Sequence, residues 1–282
     1  MSQIDNTIVK FTEILSGYDI PDPKNEIEIL LSHFLNVSKA ELYLRSNDTI
    51  DDKTLMMLEN AVSERTTRKP LQYIIGNVPF LNTTIHVNEN VLIPRPETEY
   101  MVDLVLRQTA SIDTEIQILD LCTGSGAIAI SLKKNLPNAK IYASDICEKA
   151  LYTAKNNAQI NNVEINFIKS DLFGIPNSEF RIKYDITISN PPYISPDVYT
   201  TLQPEIYFEP KIAFVSDHDG LYFYEKIISD AKDFMQPNST LYLEIGENQT
   251  KSILSLAKKH EYKNIDVYKD LCKKDRIVRL KI

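Results

Sequence analysis

Ile116-Gln117-Ile118-Leu119-Asp120-Leu121-Cys122-Thr123-Gly124-Ser125-Gly126-Ala127-Ile128-Ala129 begins as an apolar run and ends in a glycine turn. The run to Leu121 reads as a buried strand, and Gly124 and Gly126 let the backbone turn sharply into a following helix. The N–H groups that open this helix then face whatever binds above the strand end. Asp145 stands nineteen residues past Gly126, at the end of the next predicted strand. A carboxylate there accepts both ribose hydroxyls of an adenosine. The pattern points to a nucleoside-containing cofactor, although by itself it also fits NAD or a plain strand-turn-helix.

Two features favour S-adenosylmethionine. Asp120 puts a carboxylate beside the loop, a partner for a cationic amino-acid group rather than a pyrophosphate. Ser170-Asp171-Leu172-Phe173 closes the third strand, where Asp171 is placed to accept an adenine amino group while Leu172 and Phe173 supply apolar walls.

Strands and helices alternate after Ile112. Strands are predicted at 116–121, 140–145, 164–168, 184–189, 239–245, 263–269 and 276–281, with helices at 127–135, 147–159, 221–234 and 248–260. Such alternation implies a doubly wound, Rossmann-like α/β sheet of seven strands. The last two strands are joined by only a short turn, so the final one is expected to be antiparallel to its neighbour.

The fourth of these strands runs into Tyr184-Asp185-Ile186-Thr187-Ile188-Ser189-Asn190-Pro191-Pro192-Tyr193. Two prolines cannot supply the N–H groups of an inner strand, so the strand stops there. Chemistry then sits at a strand's C-terminal end, where open α/β sheets hold their ligands. The Asn190 side-chain carbonyl and the Pro191 backbone carbonyl are two acceptors on a stiff segment, and Tyr193 adds a flat face. Together they suit a planar group gripped through both hydrogens of its NH2.

Upstream, residues 1–70 read as a small helical domain. Ile4, Ile8, Phe11 and Leu15 recur at helical spacing; Asp22-Pro23 opens a second helix, Ser38-Lys39-Ala40-Glu41 fits a capping box, and Asp51-Asp52 starts a fourth helix. Residues 71–94 change towards period two and read as a linking β-hairpin, leaving 95–282 as the catalytic domain. Glu97 and Glu99 fall in the first turn of a helix, where they suit its dipole; this reads equally as plain helix punctuation or, from its nearness in sequence to the start of the sheet, as a ligand contact.

The 282 residues carry a net charge of −8 with a pI near 5.2, which disfavours a protein that grips long nucleic acid by its phosphates. Basic residues gather at Arg65, Arg68 and Lys69 and read as a solvated face. The start of the chain has no secretory signal pattern and no uncharged run is long enough to span a membrane, so a cytoplasmic location is expected. Three scattered cysteines and four scattered histidines argue against disulfides and metal sites. No heptad pattern calls for a dimer, and a monomer is expected.

Taken with Leu92-Ile93-Pro94-Arg95-Pro96-Glu97-Thr98-Glu99, Gln72-Tyr73-Ile74-Ile75-Gly76, Glu209-Pro210 and Leu243-Glu244-Ile245-Gly246, these motifs resemble the protein-(glutamine-N5) methyltransferases, the HemK or PrmC family. The likeness spans essentially the whole chain. It implies S-adenosylmethionine as methyl donor, leaving S-adenosylhomocysteine. It implies the glutamine of the Gly-Gly-Gln motif of class 1 peptide chain release factors as acceptor, with no direct nucleic-acid partner. By position, Cys122, Thr123, Gly124, Ser125, Gly126, Asp145, Leu172 and Asn190 would contact the cofactor, with Asp171 added from the reading above. Asn190, Pro191, Pro192 and Tyr193 would hold the glutamine. Cys122 stands where the family usually has glycine, and Leu172 where an aromatic is common. Asn-Pro-Pro-Tyr also occurs in enzymes that methylate adenine N6, which makes that activity the alternative. An NAD oxidoreductase would leave this motif idle, and a non-catalytic adaptor would retain binding without transfer.

Overall fold

In the computed structural model, residues 3–110, 115–174 and 182–282 are described, and they form two units. The first comprises Met1–Asn77 together with Gln203–Phe208. Its helices are α1 (Ile4–Ser16), α2 (Pro23–Leu35), α3 (Lys39–Leu44), α4 (Asp52–Thr66) and α5 (Leu71–Ile75). Ser38 and Glu41 cap α3 reciprocally, as the sequence predicts, and Asp51 caps α4 through the Thr54 N–H. Asp22 precedes α2 in a left-handed conformation without a side-chain cap, so proline at the first position is what sets that helix start. Ile8, Phe11, Leu30, Leu31 and Leu58 share the core.

Two expectations need correction here. Residues 71–75 are helical rather than part of the hairpin, because Pro70 opens a turn that Gly76 ends at φ +87°. Arg65 is no solvated charge: it is 3% exposed and held by Glu26 at 2.7 Å and Glu205 at 3.0 Å, the latter also bound by Arg68 at 2.8 Å. A buried guanidinium persists only when paired in this way.

The second unit, Val78–Leu202 with Glu209–Ile282, holds the sheet. A short hairpin of β1 (Asn77–Phe80) and β2 (Thr83–His86) leads to α6 (Pro96–Thr109). Then follow β3 (Gln117–Leu121), α7 (Ala127–Asn135), β4 (Lys140–Asp145), α8 (Glu148–Ile160), β5 (Asn166–Lys169) and β6 (Tyr184–Ser189). Short turns α9 (Pro196–Tyr199) and α10 (Asp217–Gly220) precede α11 (Tyr222–Phe234), β7 (Met235–Glu244), α12 (Thr250–Lys259), β8 (Asn264–Lys269) and β9 (Asp275–Lys281). Among the described residues no helix is long and apolar enough to cross a membrane.

The strand order is β5-β4-β3-β6-β7-β9-β8, with β9 antiparallel to both neighbours. The order reverses between β3 and β6, and a reversal of this kind opens a crevice above the strand ends. Leu119, Leu121, Tyr184, Leu241 and Leu243 form the core beneath it. Asn157 of α8 and Asn161, the residue just past its end, serve as partners for the backbone of β2. Asn157 exchanges two hydrogen bonds with His86, each 2.9 Å, and Asn161 exchanges two with Thr84. They occupy backbone groups that would otherwise be left unpaired.

Candidate active site

Sheet register sets the site. Leu121 pairs with Ser144 and with Ser189, and Ser189 pairs with Leu243. One residue further along, Asp145, Cys122, Asn190 and Glu244 therefore stand in one row across four strands, at the C-terminal edge beside the crevice. Ser189 Oγ donates to the Leu121 carbonyl at 2.8 Å and ties the two ends together.

A cavity opens above this row, lined by Cys122, Gly124, Asp145, Asp171, Leu172 and Asn190 with Pro192. Thr123 and Ser125 line a smaller adjoining cavity with Thr98 and Asn190. Gly126 lines neither. A Cβ there would lie 3.0 Å from the Ala154 Cβ, so this glycine serves the approach of α7 to α8. Pro191 and Tyr193 also lie outside both linings. Glu97 and Glu99 do not line them either, and the residue of that helical turn which does is Thr98.

The donors and acceptors fit an adenosyl amino acid. Asp145 accepts from the Gly124 and Cys147 N–H groups at 2.9 and 2.8 Å, which aims the carboxylate at the cavity and leaves lone pairs for two hydroxyls. Burial raises its pKa, and these N–H groups draw it back. Asp120 is fully buried. Its Oδ2 accepts from Thr123 Oγ1 at 2.6 Å and from the Ala129 N–H at 3.3 Å, while Oδ1 has no partner. Burial pushes the Asp120 pKa up to about 7. An orphaned buried carboxylate oxygen is costly, and although Asp120 lines neither cavity itself, Thr123, which donates to it, lines the smaller one.

Two cavity residues that are not glycine adopt left-handed backbone, Cys122 at φ 61° and Leu172 at φ 48°. At Cys122 this is a conformation that glycine adopts without strain. Burial raises the Cys122 thiol pKa well above its usual value, which keeps the thiol protonated. Arg95 acquires a role too: its guanidinium pairs with buried Glu209, which also accepts from the Ile93 N–H at 2.9 Å. The Ile-Pro-Arg-Pro and Glu-Pro stretches are thus one locked piece.

Sequence reasoning missed Thr98, Glu244 and Gln249. Asn190 Nδ2 donates to Thr98 Oγ1 at 3.1 Å, and Thr98 Oγ1 donates to Glu244 Oε2 at 2.7 Å. Burial pushes Glu244 up to about 7, against the pull of Thr98, Arg276 and Asn190. The signal was a lone carboxylate in the apolar run Leu241-Tyr242-Leu243-Glu244-Ile245.

Two domain families match the chain, the PrmC N-terminal domain over residues 7–76 and the methyltransferase small domain over 101–204. The release factor glutamine methyltransferase of Flavobacterium psychrophilum is 36% identical over 282 residues, covering 98% of each chain. Its counterpart from Thermodesulfovibrio yellowstonii is 39% identical over 259 residues, 90% of this chain and 91% of that one. Among solved structures, a methyltransferase from Pyrococcus furiosus aligns with a TM-score of 0.54 at 18% identity, over 71% of this chain and 89% of its own, a likeness of fold alone. Because the sequence identity runs nearly end to end, through both the helical unit and the sheet that carries Asn190, the chain belongs to the release factor glutamine methyltransferase family.

Proposed function

We propose that this protein transfers a methyl group from S-adenosylmethionine to the side-chain amide nitrogen of the glutamine in the Gly-Gly-Gln motif of class 1 release factors, in the cytoplasm. The observation that carries the reading is Asn190 lining the same cavity as Asp145, Cys122 and Gly124. One residue thus stands where cofactor and acceptor must meet. Asp145 holds the ribose, Asp120 the amino group, and Asp171 with Leu172 the adenine. S-adenosylmethionine brings an electrophilic methyl carried on a sulfonium.

An amide nitrogen is a poor nucleophile because its lone pair is delocalised, and the roughly 18–20 kcal/mol rotation barrier measures that resonance. Asn190 Oδ1 and the Pro191 carbonyl each accept one amide hydrogen. Together they orient the nitrogen and favour the positive charge that grows on it. As the N–C bond forms, the methyl–sulfur bond breaks to leave the neutral thioether of S-adenosylhomocysteine. The cationic N-methylated amide, a strong acid, then loses one hydrogen as a proton to water. One preorganised contact of this kind is worth about 3–4 kcal/mol, so two cannot cancel the resonance, and alignment within the closed site supplies much of the rest. Pro192 and Tyr193 keep the motif rigid and wall in the acceptor, and the helical unit recognises the release factor.

The test is mass spectrometry of a purified class 1 release factor after incubation with the protein and S-adenosylmethionine. One methyl mass on the Gly-Gly-Gln glutamine, forming about 100- to 1000-fold more slowly with Asn190→Ala, is expected. Transfer to adenine in nucleic acid instead would overturn the assignment, and cofactor binding with no transfer at all would leave an adaptor.

A further inference from the structure

An asparagine side chain helps this reaction in only one of its two orientations. With Oδ1 towards the acceptor it takes an amide hydrogen, and with Nδ2 there it opposes one. The two are nearly equal in shape, so packing discriminates weakly between them and the choice falls to hydrogen-bond polarity.

Thr98 supplies that polarity. Its hydroxyl has a single hydrogen, donated to Glu244 Oε2 at 2.7 Å, so its oxygen is left to accept from Asn190 Nδ2 at 3.1 Å. Thr98 is 5% and Glu244 1% exposed, so bulk water does not compete for the bond between them, while the Asn190 bond lies at the wall of the smaller cavity. Glu244 is itself well held. Its backbone carbonyl accepts from Tyr224 Oη at 2.9 Å, and the register of β6 on β7 sets it level with Asn190.

We infer that Glu244 is a positioning residue for methyl transfer: acting through Thr98, it fixes the amide of Asn190 so that Oδ1 faces the methyl acceptor. This rests on the proposed role of Asn190. A carboxylate is needed at 244 because it only accepts. Glutamine at that position has the same shape, yet its NH2 can donate to Thr98 Oγ1. The Thr98 hydrogen is then free to turn towards Asn190 and to stabilise the reversed amide. A merely structural Glu244, joining α6 to β7, would tolerate that exchange in the folded protein.

The test uses full-length Glu244→Gln, Thr98→Val, Thr98→Ser, Asn190→Ala and the Asn190→Ala/Glu244→Gln double variant. Circular dichroism confirms folding, calorimetry gives cofactor affinity, and single-turnover methylation of a release factor gives the rate. Glu244→Gln and Thr98→Val are expected to lose about 10- to 100-fold in rate, with cofactor Kd within about threefold. Thr98→Ser, which keeps the hydroxyl, should recover most of the rate lost in Thr98→Val. Adding Glu244→Gln to Asn190→Ala should cost nothing more, since the group it orients is gone.

A folded Glu244→Gln with near-normal rate, while Asn190→Ala is slowed to a small residual rate, would overturn the link and leave the catalytic reading standing. Full activity of Asn190→Ala would remove both. Multiplicative losses in the double variant, or failure of Thr98→Ser to recover the rate, would show Glu244 acting by another route. Where Thr98→Val does not fold, the isosteric Glu244→Gln carries the test alone, since a merely structural role tolerates that exchange and a positioning role does not.

Discussion

Gln249 Nε2 donates to the backbone carbonyl of Tyr193 at 3.0 Å, tying the start of α12 to the end of the Asn-Pro-Pro-Tyr motif. The same amide reaches the Gly220 carbonyl at 3.3 Å, and Oε1 accepts from the Gly246 N–H at 3.0 Å. One side chain thus joins three loops at the strand ends.

Gln249→Ala should therefore strand two carbonyls and one N–H group. Each lost buried bond costs about 1–3 kcal/mol where no water replaces it. A fall in urea midpoint with a drop of about tenfold or more in turnover is expected. Unchanged turnover in the folded variant would show that the Tyr193 carbonyl needs no anchor.

Gly220 lies at φ +84°, and a Cβ there would overlap the Tyr193 carbonyl oxygen. Backbone strain and backbone contact coincide, so no side-chain rotation offers relief. Gly220→Ala should lose more than about 2 kcal/mol of stability, read by thermal or urea unfolding, together with most of the activity.

Cys122 gives the opposite case. At φ 61° it pays roughly 1 kcal/mol for a conformation glycine adopts freely, offset in part by the greater freedom of glycine in the unfolded chain. Cys122→Gly should raise Tm by about 1–3 °C with methyl transfer retained. A lower Tm would mean that the partly buried thiol contributes more packing than its backbone costs.

Two buried carboxylates predict pH effects. Asp120 and Glu244 hold protons in the folded protein up to about pH 7, whereas ordinary carboxylates release them near 4. The folded state therefore binds more protons across that window, so these groups make stability fall as pH rises from about 4 to about 7, by on the order of 1 kcal/mol per unit for each. Asp120→Asn or Glu244→Gln should flatten that slope in unfolding measured from pH 5 to 8.

Binding and activity should run the other way. A cationic cofactor favours ionised Asp120, so near pH 6.5 its binding should release protons. Calorimetry in two buffers of different ionisation enthalpy measures this, and Asp120→Asn should abolish it. Turnover should likewise rise towards pH 8 as Glu244 ionises among Thr98, Asn190, Glu97, Arg276, Tyr193 and Tyr224. A flat profile in wild type would count against both assignments.

Much of this architecture was legible in local patterns. The apolar run to Leu121, the glycines behind it, and the prolines after Asn190 act within a few residues, because φ restriction and missing N–H groups are local properties. The same locality misled at 71–75, where Tyr73 and Ile74 read as strand until Pro70 and Gly76 were seen to bound a helical turn. It misled at Arg65 as well, whose partner Glu205 lies 140 residues away.

The sequence alone was sufficient for the alternating elements, the glycine loop and the two acceptors at Asn190 and Pro191. Tertiary structure alone brought Thr98 and Glu244, 146 residues apart, into one hydrogen bond and buried them from water. Strand order and register decide which residues become neighbours, and burial turns an ordinary glutamate into a group that orients an amide and titrates near neutrality. Neither property belongs to a residue until the sheet has assembled around it.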